Sequence, residues 1–191
     1  MEVLSGYLGY GAPAYLPLDD WPGILFYFLL YACMGWLLEH GYHRVVEGRF
    51  AGEGFLTGPW KPMYGFAPVL LLLLSGPETH LWVMVLLAFA VPTAVEYISG
   101  LMLRHVFHKQ YWSYEGCRFQ LDGLVCLRFS LYWTLLVFVM VYVLQPAAAW
   151  LYRMAGPFWH NGGWQLALTV LLVDVGWTVF RSTRALRPAA K

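Results

Sequence analysis

Charge is what this chain has least of. Only 12% of its 191 residues are Asp, Glu, Lys or Arg, whereas 60% are hydrophobic and 18% aromatic. A soluble domain carries about 25% charged residues. With so few charges the chain has no means of covering a water-facing surface, so its main solvent is lipid. No G-x-x-x-x-G-K run followed by Ser or Thr occurs, so this chain performs no nucleotide hydrolysis of the P-loop type. HExxH, a nucleophile elbow and haem or flavin signatures are missing too. No cofactor and no nucleic-acid partner is expected. Cysteine is scarce as well. Cys33, Cys117 and Cys126 form no CxxC and no paired framework, and read as small apolar fillers or reduced thiols. No Lys or Arg precedes the first apolar run, and Gly11, Pro13 and Pro17 interrupt the lead-in, which does not read as a secretory signal.

Long apolar runs are what the chain has instead. A membrane helix needs about 20 mostly apolar residues. Five stretches approach this: Trp21–Tyr42, Met63–Ser75, Leu81–Arg104, Leu124–Leu144 and Trp164–Phe180. The second is short, since its 13 residues rise only about 20 Å against a hydrocarbon core of about 30 Å. The expectation is an all-α, polytopic transmembrane helical bundle of about five spans, forming a single integral membrane domain over residues 1–191. Lys and Arg are sorted between its faces: ten on one side, Arg153 alone on the other, and Arg128 within a span. By the positive-inside tendency the N-terminus lies outside and the C-terminus in the cytoplasm, in a bacterial-type inner membrane. Residues 146–163, with Trp150, Tyr152, Phe158 and Trp159, read as an outer interfacial segment. Residues 164–180 form the last span and residues 181–191 a basic cytoplasmic tail.

Four ionisable residues fall inside these spans: Glu39, Glu96, Arg128 and Asp174. Each costs about 2.5–3.5 kcal/mol on insertion scales, so each needs a reason. All four belong to the cytoplasmic halves of their helices, which suggests a shared polar cavity open to the cytoplasm. The plainer alternative is that Arg128 pairs with Glu96 or Glu39 simply to tie the bundle together. His43 follows Glu39 by one helical turn and so shares its face. Glu39, His43, Glu96 and His108 are weak metal candidates, with interfacial histidines the plainer account. Between the first two apolar runs lies GFLTGPWKPMYG, Gly54 to Gly65. Its prolines forbid a continuous helix and its glycines admit unusual torsions. It reads as an ordered, partly re-entrant cytoplasmic loop whose backbone N–H groups and Lys61 contact an anion. The alternative is a plain interfacial turn.

From Tyr31 to Trp133 the chain resembles the CmpB-like family of ABC-transporter type IV permeases. The pattern GW-x-x-E-x-x-Y is matched by Gly35, Trp36, Glu39 and Tyr42. Gly54, Phe55, Gly58, Pro59, Pro62, Tyr64 and Gly65 match the next segment, and Glu96 and Tyr97 the one after. Trp112–Glu115 aligns with an aromatic W-D-Y-S box, and Phe119, Gln120, Asp122, Gly123, Ser130 and Trp133 with a closing F-N-x-N-G region. The family-like core covers residues 24–144. Departures are Glu53, Ser113, Glu115, Gln120 and Asp122, where the family has Arg, Asp, Ser and two Asn. An Arg–Asp clasp is then lost, or replaced by Glu53 with Lys109 or Arg118.

The resemblance implies a permease component moving a small solute through the charged cavity. A separate ATPase subunit or a homo-oligomer would be its partner, alongside membrane lipid. Two other readings stay open: an intramembrane enzyme using carboxylate and His acid–base chemistry on a lipid or amphipathic substrate, and an accessory assembly subunit. Which residues would be catalytic is left unassigned. The candidate substrate or ion-pathway residues are Glu39, Tyr42, His43, Lys61, Tyr64, Glu96, Tyr97, Trp112, Tyr114, Asp122, Arg128, Ser130 and Asp174.

Overall fold

The computed structural model describes residues 16–46, 48, 54–76 and 78–185. Helix α1 (Trp21–Val46) begins where the Asp20 carboxylate accepts the Gly23 N–H at 2.9 Å, the usual work of an N-cap. Helix α2 (Pro62–Leu74) starts on a proline, whose missing N–H costs nothing at that position. It stops at Ser75, where both the backbone N–H and the hydroxyl turn back to the Leu71 carbonyl. Helix α3 (Leu81–Val106) carries Pro92 inside it. A short hairpin follows, β1 (Gln120–Leu121) paired antiparallel with β2 (Val125–Cys126). Its turn places Asp122 and Gly123 at φ of 52° and 68°, the left-handed region that Gly and Asp tolerate best.

Helix α4 (Leu127–Val139) widens into a π turn at Met140–Leu144 and continues as α5 (Gln145–Phe158). A second wide turn, Trp159–Gly163, contains two non-helical residues, Asn161 and Gly162, with Gly162 at φ 113°. Helix α6 (Trp164–Ala185) then runs back. The reversal follows from two contacts, one in the turn before it and one at its middle. The Trp159 indole donates to the Pro22 carbonyl at the start of α1, while Asp174 reaches the loop that precedes α2.

The seam between α1 and α2 is tight. Gly35 of α1 lies directly under the Tyr64 ring, and Gly65 of α2 lies against the Phe28 ring and backbone carbonyl. Helix α3 packs on α2 and α4, while α5 and α6 pack on α1. Tyr31, Leu71, Leu72, Ala88 and Met140 form the shared core. Outside it, Trp82, Leu86, Leu135 and Val173 are each more than 60% exposed. An apolar exterior of that extent marks a surface that water does not cover. The structure is thus a mostly helical membrane protein, as expected.

By length and composition, three helical runs among the described residues are long and apolar enough to cross a membrane: Trp21–Val46, Leu81–Val106 and Leu127–Arg184, with Pro62–Leu74 as a shorter apolar helix. The last run joins the fourth and fifth apolar stretches and the segment between them. The physical reason is continuity. The segment expected to be interfacial continues the helix begun at Leu127, and only Asn161 and Gly162 interrupt the run.

The seam predicts a sharp contrast between glycines. A Cβ at Gly65 would come within 2.7 Å of the Phe28 carbonyl oxygen, whereas one at Gly41 would meet nothing within 4 Å. Gly65→Ala should therefore lower stability by about 1–3 kcal/mol, measured by thermal unfolding in detergent. Gly41→Ala should not lower it.

Candidate functional site

Glu96 is the best-buried carboxylate among the described residues, at 2% exposure. Its two oxygens have separate donors. The Tyr114 hydroxyl donates to Oε1 at 2.8 Å and the Trp133 indole N–H to Oε2 at 2.9 Å. Tyr114 arrives from the loop after α3 because the hairpin folds back onto that helix. Gly100, one turn beyond Glu96, makes room for it: a Cβ there would meet Leu124 at 2.9 Å and Trp112 at 3.3 Å. The Trp112 indole donates to the Leu124 carbonyl at 2.9 Å, and the Tyr114 N–H to the Gly123 carbonyl at 2.8 Å. Burial, and then the neighbouring Glu96 carboxylate, push the Tyr114 hydroxyl far above the usual tyrosine range. It therefore stays protonated, and stays a donor, at any physiological pH.

A second carboxylate lies close by. Glu39 of α1 forms an ion pair with Lys61, whose backbone N–H is itself tied to the Ala32 carbonyl at 3.0 Å. Tyr64 lies between the two carboxylates, within electrostatic range of Glu39, Glu96 and Tyr114. Its ring meets that of Trp133 edge-on at 5.6 Å. Two polar contacts, Lys61 with Glu39 and Glu96 with Tyr114 and Trp133, thus flank the Tyr64 ring.

Asp174 goes elsewhere. Its Oδ1 accepts the Thr57 N–H at 3.1 Å, and its Oδ2 accepts the Gly58 N–H at 2.9 Å and the Trp60 indole N–H at 2.8 Å. The anion that the glycine–proline loop meets is the protein's own α6 carboxylate, and Lys61 meets Glu39. This corrects the sequence reading, which left those donors for an outside anion. The loop is ordered because a single carboxylate gathers three of its N–H groups, an arrangement neighbouring sequence does not reveal.

The cavity also differs in kind from the polar one expected. A cavity of about 130 Å³ lies between α1, α2, α3 and α4, walled by Met34, Gly35, Ala67, Pro92, Leu136 and Met140. Tyr31, Tyr64 and Trp133 also line it, and no charged side chain does. Toward one end the Tyr31 hydroxyl donates to Gln145 Oε1 at 2.6 Å. Toward the other lie Tyr64 and Trp133, whose indole N–H is held by Glu96. Sequence reasoning followed the charges and missed this space, whose only signal was the cluster of Gly, Ala, Pro and Met on facing helices.

Residues 26–179 match the family described as "Putative ABC-transporter type IV". The chain belongs to that family. No curated protein and no solved structure matches it. In this member of the ABC-transporter type IV family, the positions that depart from the motif pattern shape the hairpin. Gln120 Oε1 accepts the Gly123 N–H. The Asp122 side chain accepts the Tyr97 hydroxyl at 2.7 Å, and its carbonyl accepts from Arg104 at 2.8 Å. Lys109 reaches Ser182 at 3.4 Å, while Glu53, the other half of the expected clasp, lies outside the described residues.

The remaining candidates are not gathered into one site. Arg128 is exposed and donates to the Tyr132 hydroxyl at 3.0 Å, so it is neither beside Glu96 nor beside Glu39. Tyr42 is exposed and contacts the ring of its neighbour His43. Ser130 is buried, and its carbonyl accepts the Thr134 hydroxyl. Glu39, His43, Glu96 and His108 do not converge: among the described residues no three His, Cys, Asp or Glu side chains group as metal ligands. Cys117 and Cys126, taken as unrelated in sequence, are both free thiols that the hairpin brings within electrostatic range of each other.

The Asp174 clamp gives a direct prediction. An amide in place of the carboxylate turns one acceptor atom into a donor facing N–H groups. Asp174→Asn should therefore cost about 1–3 kcal/mol, or about ten- to a hundredfold more open loop. Limited chymotrypsin cleavage after Phe55 and Trp60 should rise by that factor.

Proposed function

We propose that this chain is the membrane-embedded, non-hydrolysing component of an ABC-type transport assembly, and that its substrate passes through the cavity between α1 and α4. Family membership supports a transport-related role. The missing P-loop assigns ATP hydrolysis to another chain. In this reading the break at Asn161–Gly162 separates two crossings, α2 makes a short one, and the chain crosses five times. The N-terminus is outside and the cationic connections face the cytoplasm of a bacterial-type inner membrane. Five crossings enclose little space, so a second copy or the ATPase subunit completes the path.

The observation that carries the proposal is the cavity's position. It sits at the junction of four helices, with a polar contact flanking it toward each end: Tyr31 with Gln145, and Trp133 with Glu96. Release of such contacts would extend the space into a path through a membrane. Acid–base catalysis finds less support, because both Glu96 oxygens are already occupied by Tyr114 and Trp133. Substrate handling therefore falls to the cavity wall, and the carboxylates act as fastenings.

The test is purification of the tagged chain from its native host membrane, followed by ATPase assay in proteoliposomes. A nucleotide-hydrolysing subunit should accompany it. Ala67→Phe, which fills the cavity, should lower substrate-stimulated ATP turnover about tenfold or more without dissociating the assembly. If no ATPase accompanies the chain, or the filled cavity turns over ATP as before, the proposal fails.

A further inference from the structure

The cavity wall says which chemistry fits inside. Two of its three polar members are already committed: the Tyr31 hydroxyl to Gln145 and the Trp133 N–H to Glu96. Water entering the space would find few partners, and an apolar cavity of about 150 Å³ stays dry while taking up a benzene-sized hydrocarbon. At about 130 Å³ the space therefore accommodates a hydrocarbon segment of about five carbons. Three of its walls are methionines, Met34, Met63 and Met140. Methionine adapts to irregular apolar surfaces better than any other side chain.

The cavity also has a side entrance. Leu38 lines it yet is 49% exposed, and Met34, Leu136 and Leu144 are part-exposed. Leu37 of α1 and Val143 of the π turn, next in sequence to Leu38 and Leu144, are exposed apolar residues. On helices that cross a bilayer, an entrance rimmed in this way opens on acyl chains and not on water. With polar contacts flanking each end, the lateral route is the continuous apolar one.

We propose that the cavity is a binding site for the acyl chain of a membrane amphiphile, entering sideways from the bilayer between α1 and α4. The chain end lodges among Met34, Met63 and Met140, and the rest trails out past Leu38. The site rests on α1 to α4 being membrane-embedded, and needs no ATPase partner. The wall recognises hydrocarbon, so a free fatty acid and a phospholipid chain are two sources of one chemistry.

The experiment uses the full chain purified in detergent, with two photoreactive probes carrying a terminal diazirine: a free fatty acid and a phosphatidylcholine. After irradiation, labelled positions are read by mass spectrometry. Labelling at Met34, Met63 or Met140 by either probe supports the site, and the probe that labels identifies the source. Ala67→Phe should lower that labelling about tenfold, while labelling at the outward-facing Leu135 stays unchanged. In the unaltered protein, excess non-photoreactive fatty acid or lipid should compete at the methionines and not at Leu135, which keeps the test independent of how the variant folds. Labelling confined to outward positions, or methionine labelling that no competitor reduces, overturns the proposal. Because no nucleotide is involved, acyl-chain labelling without an ATPase partner would refute only the transport reading, and the reverse result only this one.

Discussion

A carboxylate shut away from water between two apolar helices has to find its hydrogen bonds inside the protein, and most of the architecture around Glu96 follows from that demand. A buried polar oxygen left without a partner costs more than a single contact returns, so both oxygens require partners. One donor, the Trp133 indole, is supplied by α4 and fixes how that helix is rotated against α3. The other, the Tyr114 hydroxyl, comes from a segment that must leave α3 and fold back. The hairpin, the left-handed turn at Asp122–Gly123 and the clear face at Gly100 all serve that return. Glu39 repeats the pattern on a smaller scale, with Lys61 as its partner.

These fastenings explain why polar residues at membrane depth coexist with an apolar cavity. Each is directed at another side chain or at loop backbone, which leaves the space between the helices to Met, Leu, Pro and Ala. Asp174 shows the same economy. Its carboxylate spends both oxygens on three loop donors and binds α6 to the segment ahead of α2. Buried charge here specifies which helix meets which, while the capacity to take up another molecule resides in shape.

Much of the plan was legible in sequence, and the rest was not for identifiable reasons. Apolar run length exposed α1 and α3 at once, and Pro62 with its neighbours marked the start of the short α2. Glu39 and Glu96 stood out because charge inside an apolar run needs a cause. What they bond to could not be read from spacing. Arg128, the obvious partner by charge, turns outward to Tyr132, while two neutral aromatic donors take its place. The link from Asp174 to Gly58 joins residues 116 positions apart and leaves no local signature. Helical continuity through Met140–Leu144 was hidden as well, since a π turn requires no proline or glycine to announce it.

The central claim is that Glu96 is satisfied from within, and the Trp133 indole proton reports on it directly. Nuclear magnetic resonance of the ¹⁵N-Trp-labelled chain in micelles, with Trp133 assigned by substitution, follows that proton's shift and its exchange with solvent. The account predicts a strongly downfield, slowly exchanging indole N–H that moves upfield and exchanges faster in Glu96→Ala. An indole proton that exchanges at the solvent rate in the unaltered protein, or that Glu96→Ala leaves unmoved, would contradict it.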